Sequence, residues 1–406
     1  MPNIKGETLR TWRRSLDWDV SQTARHLRRA AREAGQPIAA PHALVKMIRG
    51  WERGEHQLSE RYELLYRALG FVPSPEEEED CVKRREFGIA AMGLLAGTLV
   101  NPARVPVTVS ATQIRGLRSI ADNMWTRDWT VGGTALLEEA TAHYASARSM
   151  LDLSTYSSAM GRELQELAAD LAASAGFIAF DAGEQRLARS LLSESALLVG
   201  NDPLLTAHTY ALLALQSTSL ATLTPDRGRA REALRFLDYA ADAARHEPSP
   251  RIHATIAMRR ATASALLDDD VAVRRHIATA RRELDRGDHP ADPHWASFVT
   301  PSEVMAHEAM ARLSQGKAAI AVQLFRDVLA GPDLPPRNRV LYQARLAISL
   351  HAAGDHAEAV SEGLRVLTVL QGPVRSARTL HQLRPVRQSA APGSEFAARF
   401  DAALAS

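Results

Sequence analysis

A helix-ending turn recurs along the long C-terminal part of this 406-residue chain, and it limits the folds open to it. Gly183, Gly228, Gly316 and Gly354 each precede an alanine by five residues: Ala188, Ala233, Ala321 and Ala359. The glycines lie 45, 88 and 38 residues apart, and the double gap holds another polar turn at Asp268–Asp270, so the period is about forty. Glycine accepts the left-handed conformation that closes a helix. A small side chain five residues on lets the next helix cross closely. Between these turns the chain is rich in alanine and leucine. Helix–turn–helix units of this length cannot bury their apolar faces alone and must stack on one another. The expectation is an all-α protein whose residues 110–385 form an α-solenoid, with residues 386–406 as a C-terminal capping segment.

The first seventy residues read differently. Residues 6–18 suit a helix with Leu9, Trp12 and Leu16 inward. Ser21 is placed to cap a second helix that carries Leu27 and Ala30 on one face, and Gly35-Gln36-Pro37 breaks it. Pro41 fits the first turn of a third helix, where its missing N–H costs nothing. There Leu44, Met47, Ile48 and Trp51 form the apolar stripe, with His42, Val45, Lys46 and Arg49 on other faces and Gly54 at the end. Tyr62, Leu64, Leu65, Ala68 and Leu69 form a fourth, closed by Gly70. Gly50, inside the third helix, weakens it by about 1 kcal/mol relative to alanine.

Charge separates this head from the rest. Residues 1–70 hold 13 Lys or Arg against 8 Asp or Glu, whereas the remainder is slightly acidic. A basic head on an acidic body fits a polyanion-binding module joined to a non-binding one. Residues 73–109 form the connection: an acidic, Pro-containing run (F-V-P-S-P-E-E-E-E-D, 71–80), an apolar helix over 81–100, and an extended N-P-A-R-V-P-V-T-V. The stretch K-R-R-E-F-G-I-A-A-M-G-L-L-A-G (83–97) imitates an export signal but lies internally, and its apolar run falls short of the roughly 20 residues a bilayer needs. Cys81 is the only cysteine, so no internal disulfide forms. These features point to a cytoplasmic protein with no membrane partner.

The segments V-S-Q-T-A-R-H-L (20–27), W-E-R-G-E (51–55) and S-E-R-Y-E-L-L-Y-R-A-L-G (59–70) together resemble the XRE-type, lambda-repressor-like helix-turn-helix. The segment from Gln22 to Gly35 is longer than that pattern. The resemblance implies a DNA-binding domain over residues 1–72 that reads an operator, an inverted repeat, as a homodimer. The helix beginning at Pro41 then enters the major groove by its N-terminal end, with His42, Val45 and Lys46 at base edges. Ser21, Gln22, Arg25, Arg49 and Arg53 lie near phosphates, although Arg53 can pair with a neighbouring acid instead.

The stretches A-G-F-I-A-F-D-A-G-E-Q-R-L-A (175–188) and A-R-L-A-I-S-L-H-A-A-G-D-H-A-E-A (344–359) resemble degenerate tetratricopeptide repeats. XRE heads fused to such bodies resemble regulators that sense short peptides in Gram-positive bacteria. That implies a peptide or small-molecule effector on a concave wall, changing the spacing of two heads. Polar residues at suitable helical places are His208, Tyr210, Gln216, Arg259, Trp295, Glu303, His307, Tyr342 and Arg345.

Catalytic spacings such as G-x-S-x-G, H-E-x-x-H, a P-loop or G-x-G-x-x-G do not occur. The loop D-H-P-A-D-P-H-W (288–295) reads as caps and a turn rather than a metal site. No enzyme, cofactor or metal is expected. An interaction scaffold is the competing class; it predicts weak, sequence-independent DNA binding.

Overall fold

The structure is a computed structural model that describes residues 6–16, 18–33, 38–56, 58–59, 62, 65–66, 69, 71, 108–223, 226–331 and 334–405. It is helical, with no β-strand among the described residues beyond an isolated bridge between Thr108 and Thr155. No helix among these residues is long and apolar enough to cross a membrane. The chain divides into two compact units, residues 1–99 and 100–406. The acidic run, Cys81 and the expected helix over 81–100 lie outside the described residues.

In the first unit, α1 (Gly6–Ser15), α2 (Val20–Glu33) and α3 (Pro41–Arg53) enclose Leu9, Leu27, Leu44, Ile48 and Trp51 with Tyr62, Leu65 and Tyr66. Glu52 is buried at the end of α3, where Arg13 grips its carboxylate at 2.6 and 2.9 Å and Arg10 donates to its carbonyl. Two local expectations fail. Asp19, not Ser21, caps α2: the Gln22 amide donates to Asp19 Oδ1 at 2.6 Å and the Asp19 amide donates to Gln22 Oε1 at 2.7 Å. This reciprocal capping box satisfies two free amides at once, which a lone serine cannot do. Leu16 lies past the end of α1 and is exposed. Leu64 and Ala68 lie outside the described residues.

The second unit stacks helices in adjacent pairs. They are α4 (Ala111–Val131) with α5 (Gly133–Leu153), α6 (Ser158–Asp181) with α7 (Gln185–Leu198), α8 (Pro203–Leu223) with α9 (Arg227–Ala243), and α10 (Pro250–Ala265) with α11 (Asp270–Leu284). After a 3-10 turn (His294–Ala296) come α12 (Pro301–Ser314) with α13 (Ala318–Ala330) and α14 (Pro336–Ala352) with α15 (His356–Leu370). Short helices α16 (Ala377–Gln382) and α17 (Arg384–Ser389) precede α18 (Glu395–Ala405). Helix α17 straddles the boundary expected at residue 385, and Phe396 and Phe400 of α18 are buried in the core of the last pairs. The apolar cores follow one another in overlapping windows along the sequence, as stacked units require.

Four turns are built alike. Gly183, Asp268, Gly316 and Gly354 have positive φ, and each precedes the N-cap of the trailing helix of its pair. In each, the N-cap amide donates to the carbonyl five residues back: Glu184 to Ala179, Asp269 to Ser264, Lys317 to Arg312 and Asp355 to Leu350. This is the Schellman closure. Gly228 is the exception to the expected pattern. It lies inside α9, where its amide donates to the capping Asp226. The left-handed position expected of a glycine is instead taken by Asp268 in the following pair.

The stack closes on itself rather than presenting an open concave wall. Helix α14 packs on α4 and α16 on α6. The Arg375 amide donates to the Val131 carbonyl at 2.7 Å, and the Thr134 amide donates to the Arg375 carbonyl at 3.1 Å. Gly132 permits this approach: its φ is 79°, and a Cβ there would lie 2.5 Å from the Arg375 carbonyl oxygen. Two buried ion pairs complete the closure, Arg337 with Asp128 at 2.6 Å and Arg378 with Asp181 at 2.9 Å.

Candidate functional site

Closing the stack turns its inner face into a cavity of about 50 Å³. The leading helices, the connection before α12 and the short helix α16 line it. Helix α4 supplies Trp125 and Trp129, α6 Phe177, and α8 His208, Leu212 and Leu215. Arg259 comes from α10, and Trp295 and Phe298 from the connection. Helix α12 gives Glu303 and His307, α14 gives Arg337, Asn338, Leu341, Tyr342 and Arg345, and α16 gives Arg378. Aromatic walls with a few convergent polar groups are the usual makeup of a small-molecule site.

The cations are not equivalent. Arg337 and Arg378 each hold an aspartate, and both also lie over the Phe177 ring. Burial alone would raise the Asp181 carboxyl, but Arg378, Arg337 and the Gly133 amide outweigh it and hold Asp181 below the usual carboxylate range. Arg259 and Arg345 are buried, 5% and 7% exposed, and neither makes an ion pair among the described residues. Arg259 Nε and Nη1 and Arg345 Nε have no hydrogen-bond partner. Burial pulls both guanidiniums down to about 10, so they stay charged at pH 7.

Glu303 accepts a short hydrogen bond from Tyr342 and a longer one, 3.4 Å, from Asn338 Nδ2. Its carboxyl is raised by burial, against the Tyr342 bond and the nearby Arg345, Arg337 and Arg259 charges. His307 shares a 2.9 Å hydrogen bond with Thr262, and His208 stacks on Trp295 with ring centres 3.7 Å apart. Burial, helped by Arg259 at His208 and by Arg345 and Arg259 at His307, drives both imidazoles well below their ordinary value, so they are neutral.

Of the effector residues expected from sequence, His208, Arg259, Trp295, Glu303, His307, Tyr342 and Arg345 converge here. Tyr210 and Gln216 do not. They follow His208 by two and eight residues on α8, which turns them about 200° and 80° from its direction. Tyr210 stacks on Tyr239, and Gln216 Nε2 donates to the Gln185 carbonyl at 2.7 Å. Sequence reasoning did not single out Trp125, Phe177, Arg337, Asn338 or Arg378. A readable signal exists for some: Asp128 and Asp181 are acids within otherwise apolar helix faces, and each needs a buried cation. The loop 288–295 serves this site. Asp292 accepts from the Ser249 hydroxyl at 2.5 Å and from the His289 and Arg251 amides, fixing the turn that delivers Trp295. No group of three or more His, Cys, Asp or Glu able to hold a metal occurs among the described residues.

In the first unit, His42, Val45, Lys46, Arg49 and Arg53 fall within an arc of roughly 100° on α3, opposite buried Leu44, Ile48 and Trp51. His42, Lys46, Arg49 and Arg53 are exposed and Val45 is half-buried. Arg53 pairs with Glu55 at 2.8 Å. On α2, Ser21 and Arg25 are exposed, while the Gln22 oxygen is engaged by its cap.

No family model matches this chain, and no curated protein matches it.

Proposed function

We propose that this protein is a sequence-specific, DNA-binding transcriptional regulator whose second unit binds a small effector. The carrying observation is the exposed basic face of α3, which begins with Pro41 and packs against α2 in a net-positive unit. This arrangement supports the resemblance to an XRE-type helix-turn-helix, with α3 as the recognition helix entering the major groove. The paired helices and their four like turns support a tetratricopeptide-like body. A unit this small makes few phosphate contacts, so specific binding calls for a homodimer on two half-sites. Arg53, held by Glu55, contributes least to DNA.

The effector site is the cavity of the second unit. Its aromatic walls and few convergent polar groups suit a small molecule. The test is genomic DNA capture by the purified protein beside a Lys46→Ala/Arg49→Ala double variant. Enrichment of one inverted-repeat site by the native protein is expected, with capture reduced at least tenfold in the variant and the salt dependence shallower by about two phosphate contacts. Flat enrichment, or equal capture by the variant, favours the scaffold reading instead.

A further inference from the structure

We propose that the cavity of the second unit binds a small hydroxycarboxylate anion at the Arg259 and Arg345 guanidiniums. This gives the effector of the regulator proposed above its chemical class, and rests on that reading for its regulatory meaning.

Charge is the first argument. Four guanidiniums, those of Arg259, Arg337, Arg345 and Arg378, face three carboxylates, those of Asp128, Asp181 and Glu303. Two arginines are matched one to one by the aspartates, and Glu303 lies against Tyr342 and Asn338. Among the charged groups that line the cavity and their ion-pair partners, one unit of positive charge is left. A buried charge persists only when it is compensated, and one singly charged anion compensates this one.

Hydrogen bonding is the second. The unpartnered nitrogens of Arg259 and Arg345 are donors seeking an acceptor, and a planar carboxylate suits the guanidinium fork. Asn338 Oδ1, also unpartnered and buried, is an acceptor seeking a donor. A carboxylate alone satisfies the first need, and a hydroxyl on the same molecule satisfies the second.

Size is the third. At about 10–15 Å³ per water-sized group, the cavity takes roughly three to five such groups. That suits a two-carbon anion such as glycolate, with five non-hydrogen atoms, puts the six-atom lactate at the limit, and falls well short of a dipeptide or a nucleotide. A larger cleft of about 520 Å³, bordered by Leu370, Leu380 and Leu404, has no unpartnered buried polar atom among its described lining residues.

Thermal unfolding of the full chain tests this with lactate, glycolate, propionate, lactamide, chloride and inorganic phosphate. Lactate or glycolate is expected to raise the midpoint by about 5 °C near saturation. Propionate, lacking the hydroxyl, should bind about tenfold more weakly, and neutral lactamide should give no shift. Arg345→Gln and Arg259→Gln should each abolish the response without lowering the midpoint of the free protein, because either substitution removes the one unit of charge left over. The proposal falls if no hydroxycarboxylate shifts the midpoint, if lactamide, chloride or phosphate matches lactate, or if the variants still respond. It also falls if both variants melt far lower without any probe, since the guanidiniums are then structural. DNA capture separates the two readings. Operator capture with no midpoint shift removes the anion and leaves the regulator; a shift without capture does the reverse.

Discussion

Arg259 and Arg345 keep their charge inside the protein, while His208 and His307 beside them have lost theirs. The difference follows from intrinsic basicity: burial that leaves a guanidinium charged suffices to neutralise an imidazole. A consequence for stability follows. His307 has a folded-state value well below the ordinary 6.5. Above pH 7 it is neutral in both folded and unfolded chains. As pH falls below 6.5 the unfolded chain takes up a proton that the folded chain refuses, so stability is lost with acid. Each such histidine steepens the loss by about 1.4 kcal/mol per pH unit at pH values below 6. His307→Gln should therefore flatten the profile between pH 6 and 5 by about that slope, whatever its cost at pH 8. Urea unfolding across this range checks it, and parallel profiles for the two proteins would mean that His307 is protonated in the fold.

At the scale of helices and turns, the left-handed residue before each trailing helix sets the pairing. Nothing lies within 4 Å of a Cβ placed at Gly354 or Gly316, so an alanine there meets no steric contact. Its cost is conformational, about 1 kcal/mol, because φ is 91° and 72° at these positions. Gly354→Ala and Gly316→Ala should each lower stability by this amount, and Gly228→Ala, inside α9, should not share the cost. A neutral Gly354→Ala in urea unfolding would sink this account of the turns. The same turns show what was legible in the sequence. Gly183, Gly316 and Gly354 announce their conformation by residue type. Asp268 does not, because aspartate reaches the left-handed region only occasionally, and Gly228 has the right spacing in the wrong place. Polar residues such as His208, Arg259, Glu303 and Arg345 stand out on apolar leading helices, so part of the cavity was readable. The partners across the closure, Asp128 with Arg337 and Asp181 with Arg378, are 209 and 197 residues apart, and no local period marks such a pairing.

For the second unit as a whole, closure is the property the repeats alone do not dictate. Stacked units grow in one direction, and their ends need not meet. Here the ends are joined by a few specific contacts: the Arg375 backbone bridge, the approach allowed by Gly132, and the two buried ion pairs. Removing one member of a buried pair leaves the other uncompensated, at a cost of about 3–5 kcal/mol. Arg378→Met leaves the Asp181 carboxylate with the Gly133 amide and without its guanidinium. Asp181→Asn in the same chain removes the stranded charge and should restore most of the loss. The damage should also be local, because each core is built from neighbours in sequence. Amide hydrogen exchange in Arg378→Met should accelerate in α4, α6, α14 and α16, which meet at the closure, while α9 and α11, which supply nothing to the closure or the cavity, keep their protection. Uniform acceleration would mean that the unit opens only by unfolding throughout, and the ion pairs would then be ordinary core contacts. Selective acceleration would make closure a separate equilibrium, which an anion in the cavity enclosed by these helices biases by binding the closed form.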